Sequence, residues 1–150
     1  MKVLLAIDGS SGSDVAVNEV ATRPWPADTE IEVFSVAKLQ VPNTPDPLML
    51  AATTYQELLE SERQHAQGFV VRAVENLRQG AGTKDLDITA KVTKGYPQDV
   101  ILNEANEWGA DLIVMGSHGH SLLGRFLLGS VTHAVVGHAS CSVEIVRHRP

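Results

Sequence analysis

Short, wholly apolar runs separated by longer amphipathic stretches constrain this chain more than any other feature. Val3-Leu4-Leu5-Ala6-Ile7 and Leu112-Ile113-Val114-Met115 carry no polar side chain. A strand that does not alternate is one whose two faces are both covered. Between such runs apolar residues return at helical spacing, most clearly Tyr55, Leu58, Leu59, Ala66, Phe69, Val70, Ala73, Val74 and Leu77 before Gly80-Ala81-Gly82. This pattern predicts strands over 3–7, 31–37, 86–92, 112–115 and 143–146. It predicts helices over 13–21 (entered through Ser10, Ser11 and Ser13), 51–79, 97–108 and 130–136, the last closed by Gly137. Residues 39–50 hold Pro42, Pro45 and Pro47 and read as a loop. Strict alternation of strand and helix over 150 residues implies a single α/β domain, a parallel sheet with helices on both faces. Ligands of such sheets lie beyond the carboxyl ends of the strands, which singles out 8–13, 37–50 and 116–130.

Charge narrows the choice of partner. Twelve Lys and Arg stand against 18 Asp and Glu, a net charge of −6, and no two basic residues are adjacent. Such a chain repels polyphosphate backbones and offers no polybasic anchor, so neither nucleic acid nor a membrane surface is expected as a partner. No run of eighteen apolar residues is present, so no spanning helix is expected. The apolar run at 3–7 is too short for a signal-peptide core, and Cys141 is the lone cysteine. A reducing, cytoplasmic setting is the expectation, with Cys141 an inert thiol that has no flanking base.

The connection after the fourth strand carries the chemistry. In Gly116-Ser117-His118-Gly119-His120-Ser121-Leu122-Leu123-Gly124-Arg125-Phe126-Leu127-Leu128-Gly129-Ser130, glycines let successive backbone N–H groups approach an anion. The loop then opens a helix, whose first N–H groups and dipole also favour phosphate. Two better-known phosphate motifs do not apply. Gly119-x4-Gly124 is followed by Arg125-Phe126 rather than Lys-Ser/Thr. Gly9-Ser10-Ser11-Gly12 after the first strand is not the G-x-G-x-x-G of dinucleotide-binding domains.

Gly116-x2-Gly119-x9-Gly129-Ser130 resembles, without a gap, the G-2x-G-9x-G-S/T signature of ATP-binding universal stress proteins. Asp8 closing the first strand, Gly95-x-Pro97 before the third helix and the valine-rich last strand agree with it, so the resemblance runs from about Lys2 to Arg147. It implies an open five-stranded parallel sheet of Rossmann-like, adenine-nucleotide alpha-hydrolase-like type, in strand order 3-2-1-4-5. Asp8 and the backbone at Val36 would border the adenine, and Met115 and Gly116 the adenosine. Gly119, Gly129, Ser130 and Val131 would hold the phosphates. The ligand implied is ATP, with ADP or AMP as alternatives, and Mg²⁺ carried by the phosphates without protein ligands. A homodimer through the last strand, with Val143 and Ile145, is implied as well. The departures are Ser142, where the family usually has proline, and the proline-rich insert at 39–50.

Several residues keep two readings. Ser130 serves as a helix N-cap or a phosphate ligand, and Asp8 as an Asx-turn or a binding group. His118 and Arg125 are candidate phosphate contacts beside the plain reading of solvated side chains. The histidines His118, His120, His133, His138 and His148 lack the partner pattern of a metal site. Trp25 and Trp108 read as packing residues. The functional expectation is a nucleotide-responsive stress or signalling module that is not an enzyme. A slow ATPase or nucleotidyl-transfer enzyme on the same fold is the alternative, and a structural dimer with an empty loop the third possibility.

Overall fold

The computed structural model describes residues 1–38, 52–118 and 128–147. The elements in chain order are β1 (Lys2–Ile7), α1 (Ser11–Thr22), β2 (Glu30–Lys38), α2 (Ala52–Gln79), β3 (Asp87–Gly95), α3 (Pro97–Trp108), β4 (Leu112–Gly116), α4 (Ser130–His138) and β5 (Ser142–Val146). All strand pairs are parallel, in the order β3-β2-β1-β4-β5 expected from the resemblance. The predicted loop at 39–50 and the residues Gly119, His120, Arg125 and His148 lie outside the described residues.

Both faces of the central strands are buried, which is why β1 and β4 show no alternation. Val3, Leu5, Ile7, Ile31, Val33 and Val114 pack under α1 and α2 against Val17, Val20, Val70 and Leu77. On the opposite face Leu4, Ala6, Phe34, Ile113 and Met115 meet Ile101, Ala105 and Val135. Each such side chain contributes about 1.5–3 kcal/mol relative to exposure. Among the described residues no helix is long and apolar enough to cross a membrane.

Local chemistry sets the ends of the helices. The Ser10 hydroxyl caps α1 by accepting from Ser13 N–H at 3.3 Å. Pro97 opens α3, and Gly109, left-handed at φ 74°, closes it by donating its N–H to Ala105. Arg23, just after α1, donates to Glu144 of β5 at 2.7 Å, and its guanidinium lies 5.0 Å from the centre of the Trp25 ring. The Trp25 indole N–H donates to Val20 C=O at 2.9 Å, and Lys2 lies 5.3 Å from the centre of Trp108. Both tryptophans pack as expected.

Several boundaries differ from the sequence reading by a few residues, α1 for instance starting at Ser11 with Ser10 alone as its cap; those of β3 and α4 have clear physical causes. β3 continues past Val92 to Gly95, staying in register with β2 as far as the pair Lys38 and Gly95. Alternation is a poor guide there because β3 is an edge strand with exposed Thr89, Lys91 and Lys94. Gly137 does not close α4, which runs to His138 with Ala139 as its cap. A glycine inside a helix costs about 1 kcal/mol, too little to end it.

Candidate functional site

A cavity of about 470 Å³ opens at the carboxyl ends of β1, β2 and β4, beneath the start of α4. Ala6, Phe34, Val36, Ile101 and Met115 give it an apolar floor and wall. Asp8, Ser13, Lys38, Gly116, His118, Gly129, Ser130, Val131 and Thr132 supply its polar rim. The structure therefore brings together Asp8, Val36, Met115, Gly116, His118, Gly129, Ser130 and Val131, residues up to 123 positions apart in sequence. Gly119 and Arg125, the other two loop candidates, fall outside the described residues. Val143 and Ile145 lie elsewhere, half-buried against the core beneath α3 and α4.

Asp8 sits where β1 turns into α1, and it forms the Asx-turn while lining the cavity. Its Oδ1 accepts from Ser10 N–H at 3.0 Å, closing the Asx-turn, and from the Ser13 hydroxyl at 2.7 Å. The Asp8 N–H in turn donates to Ser13 Oγ at 2.9 Å. This local knot fixes the carboxylate at the cavity rim rather than diverting it from there.

Two glycines bring α1 against the end of β4. A Cβ on Gly116 would stand 2.6 Å from the carbonyl oxygen of Gly12, and one on Gly12 would strike the carbonyl of His118. Gly116 is thus required by packing as well as by its place on the cavity wall. Gly12 has a structural role that its failed dinucleotide motif did not suggest.

The start of α4 opens onto the cavity. Gly129, not Ser130, is the N-cap residue, and among the described residues no side chain caps the helix. The capping alternative for Ser130 is thereby removed, because its hydroxyl belongs to the first helical residue. The helix's own ladder begins with His133 N–H donating to Gly129 C=O at 2.8 Å. The N–H groups of Ser130, Val131 and Thr132 thus precede the first bond of the helix. Gly129 N–H donates to Ser117 C=O at 3.0 Å, and the Thr132 hydroxyl donates to Gly116 C=O at 3.1 Å, so α4 is tied to the end of β4. His118 Nδ1 shares a 2.9 Å hydrogen bond with Ser117 Oγ, while its Nε2 is buried without a hydrogen-bond partner. Among the described residues this ring nitrogen has no partner, although it belongs to a side chain that lines the cavity.

Such an enclosure suits a planar apolar ring system at one end and an anion at the other, and its size is that of a small-molecule site. Asp8 is the one carboxylate among the described lining residues. No group of three metal-ligating side chains occurs among the described residues. The Cys141 thiol is pushed up by burial, which lowers its thiolate fraction. Phe34, Lys38, Ile101 and Thr132, which line the cavity, were not singled out from the sequence, and Pro97 was read as a helix start and family landmark rather than as a site residue. Phe34 and Lys38 were within reach, since a strand's period of two places them on the same face as Val36.

Comparison with known proteins identifies the family and the fold. The model of the universal stress protein family matches residues 1–147. Universal stress protein YxiE of Bacillus subtilis is 32% identical over 148 residues, covering 97% of this chain and 98% of its own. Among solved structures, hypothetical protein MJ0577 superposes with a TM-score of 0.81 at 23% identity, covering 99% of this chain and 96% of the other. A universal stress protein in complex with cAMP gives 0.68 at 24% identity, covering 97% and 96%. A universal stress protein family protein from Arabidopsis thaliana with AMP bound gives 0.64 at 18%, covering 99% and 92%. With the family model spanning nearly its whole length, this chain belongs to the universal stress protein family.

Proposed function

We propose that the cavity binds an adenine nucleotide, ATP with Mg²⁺ in the first instance, and that the protein is a nucleotide-responsive stress module rather than an enzyme. The observation that carries this reading is the cavity itself. Its apolar floor of Val36, Ile101 and Met115 and the uncapped start of α4 at Gly129, Ser130 and Val131 face one space of about 470 Å³. Two structural neighbours described with AMP and with cAMP support the class of ligand. In the reading, adenine lies near Asp8 and Val36, and the phosphates meet the N–H groups and hydroxyl at Ser130. Mg²⁺ arrives on the phosphates. The loop residues Gly119 and Arg125 belong to the same proposal through the signature spacing. Backbone donors of this kind hold ground-state phosphate, and uniform binding lowers a dissociation constant without lowering a chemical barrier. The slow-ATPase alternative would need a group that positions water at the γ-phosphate.

Calorimetry on the purified protein is expected to give micromolar affinity for Mg²⁺-ATP, roughly −8 kcal/mol. Ser130→Ala is expected to weaken it by about 1–2 kcal/mol, a factor of roughly 5–30. Titrations with ADP, AMP and cAMP alongside rank the ligands. Affinity unchanged in Ser130→Ala would remove α4 from the site. Phosphate release faster than ~1 s⁻¹, lost in Ser130→Ala, would make the protein an enzyme.

A further inference from the structure

Away from the cavity, the face of the sheet under α3 carries two buried carboxylates that the nucleotide site does not use. Glu32 of β2 and Glu104 of α3 are each 7% exposed. Lys91 of β3 donates to Glu104 Oε2 at 2.6 Å, whereas one of the two Glu32 carboxyl oxygens, Oε1, is buried without a hydrogen-bond partner among the described residues. The charged groups on the surrounding elements are Glu30 and Lys38 on β2, Asp87, Lys91 and Lys94 on β3, Asp99, Glu104 and Glu107 on α3, and Lys2 on β1. Lys38 lines the cavity six residues beyond Glu32, about 20 Å along the strand, and the period of two puts Lys94 on the face of β3 opposite to Lys91. The Lys2 ammonium is engaged by Trp108, donating to its carbonyl at 3.2 Å and lying over its ring. Lys91 is therefore left as the one cation for two buried carboxylates among the described residues. Ionising both would leave a buried negative charge uncompensated, so the pair retains a proton.

This pair joins the same two elements that build one wall of the cavity. Glu104 follows Ile101 by three residues on α3, about 4.5 Å along the helix, and Ile101 and Pro97 line the cavity. Glu32 precedes Phe34 by two residues on β2, about 6.6 Å, and Phe34, Val36 and Lys38 line it too. We infer that Glu32, Glu104 and Lys91 form a proton-dependent latch that seats α3 on the sheet and so sets how tightly the adjoining cavity holds its ligand. The second half of this inference rests on the function proposed above. When the shared proton leaves, the two carboxylates repel across the α3–β2 contact. The wall formed by Pro97 and Ile101 then shifts from the floor formed by Phe34 and Val36.

The latch opens near neutrality. Burial, then the charge of Glu104 and a hydrogen bond with its carboxyl, push Glu32 up to about 7, against the opposing pull of Lys91. Because the folded value lies above the ordinary 4.5, the latch is fully effective below about 4.5. It weakens as pH rises through about 7.

The test uses the full chain in a Trp25→Phe background, so that Trp108, the last residue of α3, is the single fluorophore. Mg²⁺-ATP affinity and Trp108 emission are followed from about pH 5.5 to about pH 8.5 in this parent and in Glu32→Gln. The parent is expected to lose affinity several-fold with a midpoint near 7, with a parallel change in Trp108. Glu32→Gln should lack that component in both signals. The ligand's own phosphate also titrates, but it is unchanged in Glu32→Gln, so the difference between the two profiles isolates the latch. Glu104→Gln leaves Glu32 facing Lys91 alone and should move the midpoint to lower pH. Identical profiles in parent and Glu32→Gln overturn the inference. So does a Trp108 transition that affinity does not follow. If no nucleotide binds at any pH, the functional reading fails, and the Trp108 titration still judges the latch.

Discussion

Gly12 and Gly116 meet almost backbone to backbone where α1 leaves the sheet, and neither has room for a methyl group. Gly12→Ala is expected to force the α1 start away from β4, at about 1–3 kcal/mol, and to lower Tm by several degrees. Gly137 is the opposite case: a Cβ there meets nothing, and the residue sits inside α4. Gly137→Ala should raise stability by about 0.4–1 kcal/mol. Melting curves of the two variants test both signs at once; a shared direction would contradict the packing described here. At this scale the site was legible where spacing expresses chemistry, as at Gly116, Gly129 and Ser130. It was not legible at Gly12 or Glu32. A tight backbone contact and a buried carboxylate depend on what lies across the fold, and a window of sequence cannot report that.

The helices and strands are held in place partly by charge. Arg23 links the end of α1 to Glu144 of β5, and its hydrogen bonds hold the Glu144 carboxyl below the ordinary carboxylate range. A depressed folded value means that this contribution is present above about 4.5 and is lost as pH falls through the folded value. Arg23→Gln should therefore lower stability near neutral pH but change little in strong acid, which denaturant midpoints across pH would register. Equal losses at both ends would assign the effect to the packing of Arg23 over Trp25 instead. Most elements were readable because buried apolar runs and capping residues mark them locally. The overrun of β3 was not, because its pairing with β2 is decided by the neighbour and not by its own exposed side chains.

For the molecule as a whole, strand alternation gave the architecture, and the glycine spacing placed a site on it. The homodimer implied by the resemblance remains our proposal. β5 pairs with β4 on one side only, leaving an edge that a second copy can continue. Sedimentation is expected to exceed the 16.1 kDa of one chain, and a monomer at micromolar concentration would refute it. Val143→Asp is a poor probe on its own, since Val143 is half-buried against its own core and a smaller dimer fraction would mix lost stability with lost pairing. The order of the sheet has a consequence for how the protein is made. Of these five strands β1 leaves the ribosome first and is the central one in the finished sheet, between β2 and β4. β2 ends at Lys38, and Leu112 of β4 comes much later. At ~5–20 residues per second, one edge of β1 waits roughly 4–15 s for its neighbour. Nascent chains stopped before Leu112 should therefore be aggregation-prone and draw holdase chaperones, whereas chains carried through β5 and clear of the exit tunnel should not.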